Sequence, residues 1–376
     1  MVNWAPRAAA LAERVTHPSS RWRAPVARTA RHELVPRWWQ RAPDGWAVRN
    51  GESDEVGWLD AAYGDASLVT SVGPLHADHA DSDDHPAGLP TSSSTLPSLV
   101  VRMFQHARLG DDDAVCDIGT GSGYGAALAA RRLSDAQITS VDVDPYLVEA
   151  ARARLDAMDL HPALVHTDAT GDLPGTFDRI VATVGVRPVP ASWLAALSPG
   201  GRLVTTIAGT SLLVTAEKTE DGGATGRVEW DRAGFMHTRH GPDYPPRLAV
   251  LLATAREHDG DDIGTGRYPV VHVTEAWDLA SMLDVVAPGI EHRFDEDDKQ
   301  RVALMAHADG SWARAVAHAG EPPQVHQGGP RRLWDILDEV RTHWLTYGEL
   351  PVRGAKVFIK PDGTTYLARG KWLAKL

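Results

Sequence analysis

Between residues 98 and 212 the chain alternates helical segments with short apolar strands. In order, these segments are SLVVRMFQHA, AVCDIG, GAALAARRL, ITSVDVD, PYLVEAARARLDAM, ALVHTDA, FDRIVATVG, SWLAAL and RLVTTIA. Such alternation predicts parallel strands with helices packed on both faces of one sheet. Two later segments, LLVTAEKT and GRVEWDRAGFMHTR, flank a DGG turn, so we expect them to form hairpin strands at the edge of that sheet.

The regions on either side of this pattern differ from it. The first 85 residues predict helix, loop and one short strand, SLVTSV, and they carry many of the 13 tryptophans. Beyond the prolines at 245 and 246, YPVVHV predicts a strand, PRRLWDILDEVRTHWL a helix, and KVFIKPDGTTYLA a terminal hairpin. The predicted fold is therefore α/β. We expect an N-terminal helical, tryptophan-rich flank (1–85), a Rossmann-like doubly wound sheet (86–245) and an accessory α+β domain (246–376).

The charge and amino-acid composition of the chain limit the kinds of partner that it is expected to bind. The formal charge of −12, from 38 basic and 50 acidic side chains, argues against a general binder of phosphate backbones. A single cysteine, Cys116, fits a reducing compartment and is expected to be a small buried residue. The N-terminal segment MVNWAPRAAALAERV lacks a secretory pattern, and no apolar run reaches the ~18 residues of a membrane span. We therefore expect a cytoplasmic protein without a nucleic-acid or membrane partner.

The segment HADHADSDDHPAGLP, at residues 76–90, is rich in potential metal ligands. Its candidates are His76, Asp78, His79, Asp81 and His85. No helical i, i+4 ligand pair or cysteine spacing fixes them, so a solvated, mobile loop is expected rather than a metal site.

A glycine-rich junction provides the main candidate for chemistry. The stretch VCDIGTGSGY, residues 115–124, joins a predicted strand to a predicted helix. Such a junction brings backbone N–H groups and a helix N-terminus to a ligand, and glycines allow close approach. The dinucleotide pattern G-x-G-x-x-G fails when counted from Gly119 but G-x-G-x-x-A fits from Gly121, so the glycines alone leave the cofactor open.

Three carboxylates at successive strand ends favour a cofactor without phosphates. Asp117 would repel a pyrophosphate and attract a cationic amino-acid ligand. Asp142, 23 residues beyond Gly119, can bind both hydroxyls of a ribose, as NAD enzymes also do. Asp168 follows the third strand, where it can meet the exocyclic amine of an adenine. Each alone could be a cap or a solvated loop residue, but three around one glycine loop predict a ligand site.

The series DIGTGSGY, VDVD, TDA and FDRIVA through SPGGRLV resembles the class I S-adenosylmethionine-dependent methyltransferases. This resemblance implies S-adenosyl-L-methionine as the cofactor. The residues that it implies as cofactor contacts are Asp117, Gly119, Thr120, Gly121, Gly123, Tyr124, Asp142, Val143, Asp168, Ala169 and Thr183.

A narrower resemblance covers roughly residues 25–210. The segments ARHELVPRWW, WLDAAYGDASLV and TSSSTLPSLVVRMF resemble the N-terminal part of protein-L-isoaspartate O-methyltransferases, which carry A-Y-x-D and then a Ser/Thr-rich loop. Here a threonine stands at the family's usual serine, and Ser98 replaces the following histidine. The resemblance implies that Ser93, Ser94 and Thr95 contact the methyl acceptor, although Ser94 or Thr95 could instead cap the next helix.

The acceptor is expected to be a carboxylate. A carboxylate is ionised near neutral pH, so placement rather than a strong base supplies most of the acceleration. An amine acceptor would favour an Asn/Asp-Pro-Pro-Tyr/Phe signature after the fourth strand, where this chain reads ATVGVRPVP.

The extension beyond residue 245 and the altered Ser loop resemble homologues that act on ribosomally made modified peptides, such as graspetides and lanthipeptides. That resemblance implies methylation of an Asp side chain in a modified, macrocyclic precursor peptide, followed by aspartimide or isoaspartate formation. This is the leading hypothesis from sequence. Repair of isoaspartyl residues in damaged proteins is the second. A non-catalytic protein that binds a precursor peptide is the third, and the intact Asp117, glycines and Asp142 count against it.

Overall fold

A computed structural model describes residues 3–42, 45–86, 88–240, 248–318 and 321–376. Three sheets organise these residues: a five-stranded sheet in the N-terminal region, a ten-stranded central sheet and a second five-stranded sheet in the C-terminal region. Within the described ranges, none of the helices is long and apolar enough to cross a membrane.

The N-terminal region contains more strand than the sequence predicts. Its elements are α1 (Ala5–Val15), α2 (Arg23–Arg28), α3 (Arg31–Leu34), β1 (Arg37–Ala42), β2 (Gly45–Asn50), α4 (Glu55–Ala62), β3 (Leu68–Val72), β4 (Leu75–His76) and β5 (Pro90–Ser94). The predicted strand SLVTSV is confirmed as β3, which pairs with β1, β4 and β5. The hairpin β1–β2 was missed because its tryptophans are adjacent, at Trp38 and Trp39, and obscure the two-residue alternation of a strand.

The central region follows the predicted alternation. Its elements are α5 (Pro97–Ala107), β6 (Val115–Ile118), α6 (Tyr124–Arg132), β7 (Ile138–Asp142), α7 (Pro145–Asp156), β8 (Ala163–His166), β9 (Phe177–Val186), α8 (Ala191–Ala196), β10 (Leu197–Ile207), β11 (Leu212–Lys218) and β12 (Ala224–Arg232). Strands β8, β7, β6, β9 and β10 are parallel neighbours in that order, and β11 and β12 extend the sheet antiparallel. The predicted α/β class is confirmed, and so is the edge hairpin, although its second strand ends at Arg232 and not at Arg239 as predicted. Because β6 lies between β7 and β9, the chain reverses its winding there, which is where such sheets bind ligands.

The C-terminal region contributes to two sheets. Its elements are α9 (Ala249–Glu257), β13 (Asp262–Thr265), α10 (Trp277–Val286), β14 (Glu291–Glu296), β15 (Gln300–Ala306), β16 (Trp312–His318), β17 (Gln324–Gly328), α11 (Leu333–Tyr347), β18 (Lys356–Ile359), β19 (Thr365–Arg369) and β20 (Trp372–Lys375). The order β13-β17-β16-β15-β14 forms its own sheet, whereas β18 pairs with β12 and so joins the central sheet. The terminal hairpin and the helix α11 are confirmed.

One predicted strand is wrong. The segment YPVVHV, residues 268–273, forms an irregular stretch, and β13 lies just before it at Asp262–Thr265. The apolar residues of YPVVHV still reach the core, because Val270 and Val273 are buried among the residues of the central cluster. Burial of apolar side chains does not require a strand, so the pattern misled the prediction. The expected domain boundary at residue 245 stays a prediction, and residues 241–247 lie outside the described residues.

The N-terminal helices pack firmly on the central sheet. Leu11, Val26 and Leu34 share one buried cluster with Phe104 and Leu128 of the central region. The rings of Trp22 and Phe104 stack with centroids 4.9 Å apart. Cys116 is fully buried in β6, as expected from sequence, and burial raises the pKa of its thiol well above the usual range. The flank is therefore part of the structure that carries the glycine loop.

One buried guanidinium connects three segments of the molecule. Arg31 is fully buried and stands at the start of α3. Its guanidinium donates to the backbone carbonyls of Ala62, Gly64, Ala66, Ser94 and Thr95, at 2.8–3.2 Å. Its carbon Cζ also lies 5.2 Å from the centre of the Tyr124 ring. Burial lowers the pKa of Arg31. A neutral side chain of the same length would leave these carbonyls without donors.

We expect Arg31→Met to lower the free energy of unfolding by more than about 3 kcal/mol, since each buried carbonyl that loses its donor costs about 1–3 kcal/mol. Arg31→Lys should recover part of this, because an ammonium carries three donors rather than five. Urea unfolding followed by circular dichroism measures the difference. Arg28→Met, on the exposed side of α2, is the matched control and should stay within about 0.5 kcal/mol of wild type. Equal stabilities for the Arg31→Met and Arg28→Met proteins would contradict this account.

Candidate active site

The glycine loop connects β6 to α6 with a backbone that favours glycine. Gly119 and Gly121 have φ of +97° and +49°, in the left-handed region where a side chain is strained. A Cβ on Gly119 would lie 2.9 Å from Thr183 Oγ1, at the carboxyl end of β9. The Thr183 hydroxyl donates to the carbonyl of Gly119 at 3.2 Å. Both positions therefore favour glycine, because a side chain would strain the backbone and, at Gly119, would also meet Thr183.

The same loop touches the strand that carries the predicted acceptor hydroxyls. A Cβ on Gly121 would lie 3.3 Å from the carbonyl oxygen of Ser93 and 3.9 Å from Ser92 Oγ, both in β5. Strand β5 comes from the N-terminal sheet, yet it meets the central sheet at the switch point. The fold therefore brings the predicted cofactor and acceptor segments into contact.

Asp117 lies beneath the loop with an incompletely bonded carboxylate. It is 1% exposed, and its Oδ2 accepts a 2.8 Å hydrogen bond from Ser140. Among the described residues, Oδ1 has no hydrogen-bond partner. Burial raises the pKa of Asp117 to about 7. A buried carboxylate oxygen without a donor is stabilised by a cationic N–H group, such as the ammonium of an amino-acid ligand.

Neighbouring hydroxyls hold this strand end in place. The hydroxyl of Thr120 lies 2.7 Å from that of Ser140, which also bonds Asp117, so both hydroxyls are committed to the protein. Gly123 caps α6, which begins at Tyr124. The Tyr124 side chain is buried beneath Arg31, so only its backbone can approach a ligand.

Asp142 ends β7 and supports the glycine loop. Its Oδ2 accepts from the backbone N–H of Gly121 at 2.9 Å, and its Oδ1 accepts from that of Asp144 at 3.1 Å. Burial raises the pKa of Asp142, and the positive charge of Arg239 opposes that shift. Val143 follows, half-buried, with its carbonyl 3.1 Å from His166 Nε2. Asp142 therefore helps to hold the glycine loop in its conformation.

Asp168 follows β8 and meets His240, a residue that the sequence did not indicate as part of the site. Its Oδ1 accepts from the backbone N–H and hydroxyl of Thr170 at 2.8 and 2.7 Å. Its Oδ2 lies 2.7 Å from His240 Nδ1. Although partial burial acts to raise it, the hydrogen bonds from Thr170 and His240 hold the pKa of Asp168 below its usual range. The carbonyl of the next residue, Ala169, accepts from Trp193 Nε1 at 2.6 Å.

The segment that ends at His240 crosses the carboxyl edge of the central sheet. The backbone N–H of Gly185 donates to the carbonyl of Met236 at 2.7 Å, and the N–H of Thr238 donates back to Gly185 at 3.0 Å. This crossing brings Arg239 to act on Asp142, and His240 to Asp168. The sequence predicted a hairpin strand, GRVEWDRAGFMHTR, that continues to Arg239, but β12 ends at Arg232, so this part of the prediction is wrong. The hydrogen bonds to Gly185 are tertiary contacts, which a local strand pattern does not indicate.

The predicted acceptor hydroxyls point to two sides of β5. Ser94 is 1% exposed, and its Oγ accepts from Arg31 Nε at 3.4 Å, so its hydroxyl faces the interior. Ser93 and Thr95 are half-exposed, as expected when side chains alternate along a strand. The direct contact of Ser94 with substrate is thus disfavoured on structural grounds, and Ser93 and Thr95 remain the candidates.

The helix-cap alternative is not what the structure shows. No side chain caps α5 from its N-cap position, Leu96. Instead, Asp65 Oδ1 accepts from the backbone N–H of Ser98 at 2.9 Å, and the hydroxyl of Ser67 accepts from that of Leu96 at 3.0 Å. Asp65 belongs to the A-Y-x-D motif, so this motif fixes the start of α5 from a distance.

The polar loop at residues 76–90 is partly interior, which corrects the expectation of a fully solvated, mobile loop. His76 is 5% exposed, and burial lowers its pKa to about 4. Asp78 Oδ2 accepts from the hydroxyl of Tyr146 at 2.8 Å and also bonds Arg154, both on α7. In the part of the chain that the structure describes, no group of three or more His, Cys, Asp or Glu could hold a metal ion.

The described sheet, glycine loop and strand-end carboxylates define the class: this is the fold of the class I S-adenosylmethionine-dependent methyltransferases. Residues 79–231 match the family model described as protein-L-isoaspartate(D-aspartate) O-methyltransferase (PCMT). A protein-L-isoaspartate O-methyltransferase of Bradyrhizobium sp. (strain ORS 278) is 32% identical over 179 residues, 46% of this chain and 79% of that relative. The chain belongs to this family, whose members are S-adenosylmethionine-dependent carboxyl O-methyltransferases.

Other similarities differ in extent. The protein-L-isoaspartate O-methyltransferase of Rhodopseudomonas palustris (strain BisA53) is 34% identical over 111 residues, 29% of this chain. The chain spans about half the length of that relative, 51%. A solved structure of a protein-L-isoaspartate O-methyltransferase aligns with 97% of this chain and 99% of its own, at a TM-score of 0.52 and 17% identity. The similarity in fold to that structure therefore includes the C-terminal region of this chain.

We expect Asp142→Ala to weaken binding of S-adenosyl-L-methionine by about 1.5–3 kcal/mol, through loss of charge-assisted hydrogen bonds, while the fold survives. Asp142→Asn keeps an acceptor for Gly121 N–H and should lose less. Titration calorimetry measures both, and Asp112→Ala, at the opposite end of β6, is the matched control. Unchanged affinity in folded Asp142→Ala protein would remove Asp142 from the site.

Proposed function

We propose that this chain is an S-adenosylmethionine-dependent carboxyl O-methyltransferase that acts on isoaspartyl residues of proteins or peptides. The observation that carries the proposal is the contact between Gly121 and Ser93. It places the hydroxyl-bearing strand β5 against the loop proposed to hold the cofactor. A donor and an acceptor held side by side are what a direct group transfer requires.

The residues of the site fit the proposed cofactor. The unpartnered Oδ1 of Asp117 suits an ammonium, and the loop presents backbone without side chains at Gly119 and Gly121, which allows a ligand to approach closely. Asp142 would accept from the ribose hydroxyls and Asp168 from the adenine amine. Thr120, Gly123, Tyr124, Val143, Ala169 and Thr183 complete the proposed contacts. When bound, S-adenosyl-L-methionine supplies an electrophilic methyl group that departs from a positive sulfur.

The chain's own part in the reaction is placement. An acceptor carboxylate needs no base, because it is already ionised near neutral pH. Ser93 and Thr95 would donate hydrogen bonds that aim one carboxylate oxygen at the methyl carbon. Very strong hydrogen bonds would stabilise the carboxylate and make it less nucleophilic. Neutral hydroxyls interact with it only modestly. Arg31 acts indirectly, because it fixes the carbonyls of Ser94 and Thr95.

Methylation of an Asp side chain in a constrained, modified peptide is the second candidate. The substitutions at Thr95 and Ser98 favour it, because they change the surface that would meet the substrate. The extension beyond residue 245 does not, since a solved protein-L-isoaspartate O-methyltransferase has the same extent. On this candidate, attack of the following amide nitrogen on the ester would release methanol and give an aspartimide, which hydrolysis converts to isoaspartate.

A substrate panel separates these functions. We expect transfer of labelled methyl from S-adenosyl-L-methionine to a linear isoaspartyl peptide, as a base-labile ester, and not to the same peptide with ordinary Asp. Transfer only to cyclised Asp-containing peptides, followed by loss of methanol, would replace the first candidate by the second. Cofactor binding without transfer to any member of the panel would instead support a non-catalytic peptide-binding protein.

The hydroxyls of Ser93 and Thr95 give a more specific prediction than the substrate panel. Ser93→Ala and Thr95→Val should leave cofactor affinity within about twofold and lower turnover of the preferred peptide, with one position losing about tenfold to a hundredfold. Ser92→Ala is the matched control, because its hydroxyl is buried and bonded by Thr70 at 2.9 Å. Its turnover should stay within about twofold of wild type. If neither Ser93 nor Thr95 affects turnover, β5 does not orient the acceptor.

A further inference from the structure

A cleft far along the chain from the proposed active site opens in the C-terminal sheet. It lies between the edge strand β13 and helix α11 and encloses about 360 Å³. Its floor includes Gly264, Gly266, Val325 and Trp334. Gly264 leaves open space beside β13, because a Cβ there would meet nothing within 4 Å. None of the proposed cofactor or acceptor residues lines it.

One wall of the cleft is acidic. Asp335, Asp338, Glu339 and Thr342 lie on the cleft side of α11, at the spacing i, i+3, i+4, i+7 that puts residues on one helical face. Asp262 adds a fourth carboxylate from β13. Burial raises the pKa of Asp338, and the positive charges of Arg341 and Arg267 oppose that shift.

The cations around the cleft only partly balance these acids. Arg267 is the one cation among the residues that line it. Outside the lining, Arg332 lies 3.6 Å from Asp262, and Arg341 lies 3.4 Å from Asp338. Asp335 accepts a neutral hydrogen bond from Gln327 Nε2 at 2.9 Å. The lining thus contains four carboxylates and one guanidinium. Two further guanidiniums, of Arg332 and Arg341, lie outside the lining and each approaches one carboxylate.

A second, independent feature points to a ligand. Trp334 is 1% exposed, and its Nε1 is a buried donor with no hydrogen-bond partner in the described ranges. A Cβ on Gly266 would lie 3.3 Å from this nitrogen, so the donor faces the glycine side of the cleft. A buried N–H without an acceptor is costly unless a partner arrives. The cleft therefore offers a donor as well as negative charge.

We propose that this cleft binds an arginine or lysine side chain of a polypeptide. The aliphatic stem would lie on Gly264 and Val325, and the cationic head would meet Asp338 and Glu339. A backbone carbonyl of the same polypeptide would reach Trp334 Nε1. The position of β13 favours a polypeptide over a free amine, because all four of its residues are exposed at the edge of the sheet. An unpaired edge strand accepts an extended peptide.

Fluorescence anisotropy of labelled hexapeptides tests this proposal directly. The probe is Gly-Ser-Gly-Arg-Gly-Ser, its partner carries Lys, and its control carries citrulline, the uncharged analogue of arginine. We expect the Arg or Lys peptide to bind the full chain at least tenfold more tightly than the citrulline peptide. Equal binding of the charged and neutral peptides would overturn the proposal.

Two variants locate the binding. A Cβ on Gly264 meets nothing within 4 Å, so Gly264→Val should fill the cleft without disturbing the strand, and we expect at least a tenfold loss of affinity. Glu339→Gln should weaken binding severalfold, and Glu257→Gln, on helix α9, is the matched control. Unchanged binding by folded Gly264→Val protein would place the peptide elsewhere.

Competition by free agmatine shows whether the cation that binds the cleft belongs to a polypeptide or to a small free amine. A polypeptide site predicts that agmatine competes at least tenfold more weakly than the Arg peptide, and equal competition would overturn the polypeptide assignment. Cofactor affinity of Gly264→Val, measured by calorimetry, should match wild type. A failure of the cleft proposal would therefore leave the proposed methyltransferase function untouched, and the reverse also holds.

Discussion

The buried guanidinium of Arg31 is the constraint on which the proposed site depends. Its donors reach carbonyls of the A-Y-x-D turn and of the end of β5, and it lies over Tyr124 at the start of α6. Carbonyls left buried without donors are costly, so these three segments hold a fixed mutual position. Asp65 adds a second tie, from the same turn to the start of α5. Together they set β5 against the glycine loop.

The residues proposed to bind the cofactor are brought together by a different feature, the geometry of parallel strands. The carboxyl ends of β6, β7 and β8 lie at one edge of the sheet, so Asp117, Asp142 and Asp168 converge although the sequence separates them. Burial of Asp117 and Asp142 raises their pKa values, as expected for carboxyl groups held away from water. Asp142 links the two features, because it accepts from the N–H of Gly121, the residue that β5 touches.

The sequence was most informative where a local pattern matches a local structure. The alternation from 98 to 212, the DGG hairpin and the terminal hairpin were all predicted, because period and turn chemistry act within a few residues. The β1–β2 hairpin, strands β13–β17 and helices α9 and α10 were not predicted. Adjacent tryptophans obscure the alternation in β1, and the four residues of β13 are too few to show one. The interior role of Arg31, the inward hydroxyl of Ser94 and the reach of His240 to Asp168 arise from tertiary contacts. Spacing within one chain cannot encode those contacts.

The central claim is that β5 and the glycine loop form one site, which cofactor binding should tighten as a unit. Hydrogen–deuterium exchange with and without S-adenosyl-L-homocysteine measures this residue by residue. The account predicts added protection at Gly119–Tyr124, Asp142–Asp144 and Asp168–Thr170, and also at Ser92–Thr95, at the end of β5, with the sheet β13–β17 unchanged. Protection of the glycine loop without any change in β5 would contradict the account, as would protection confined to the C-terminal sheet.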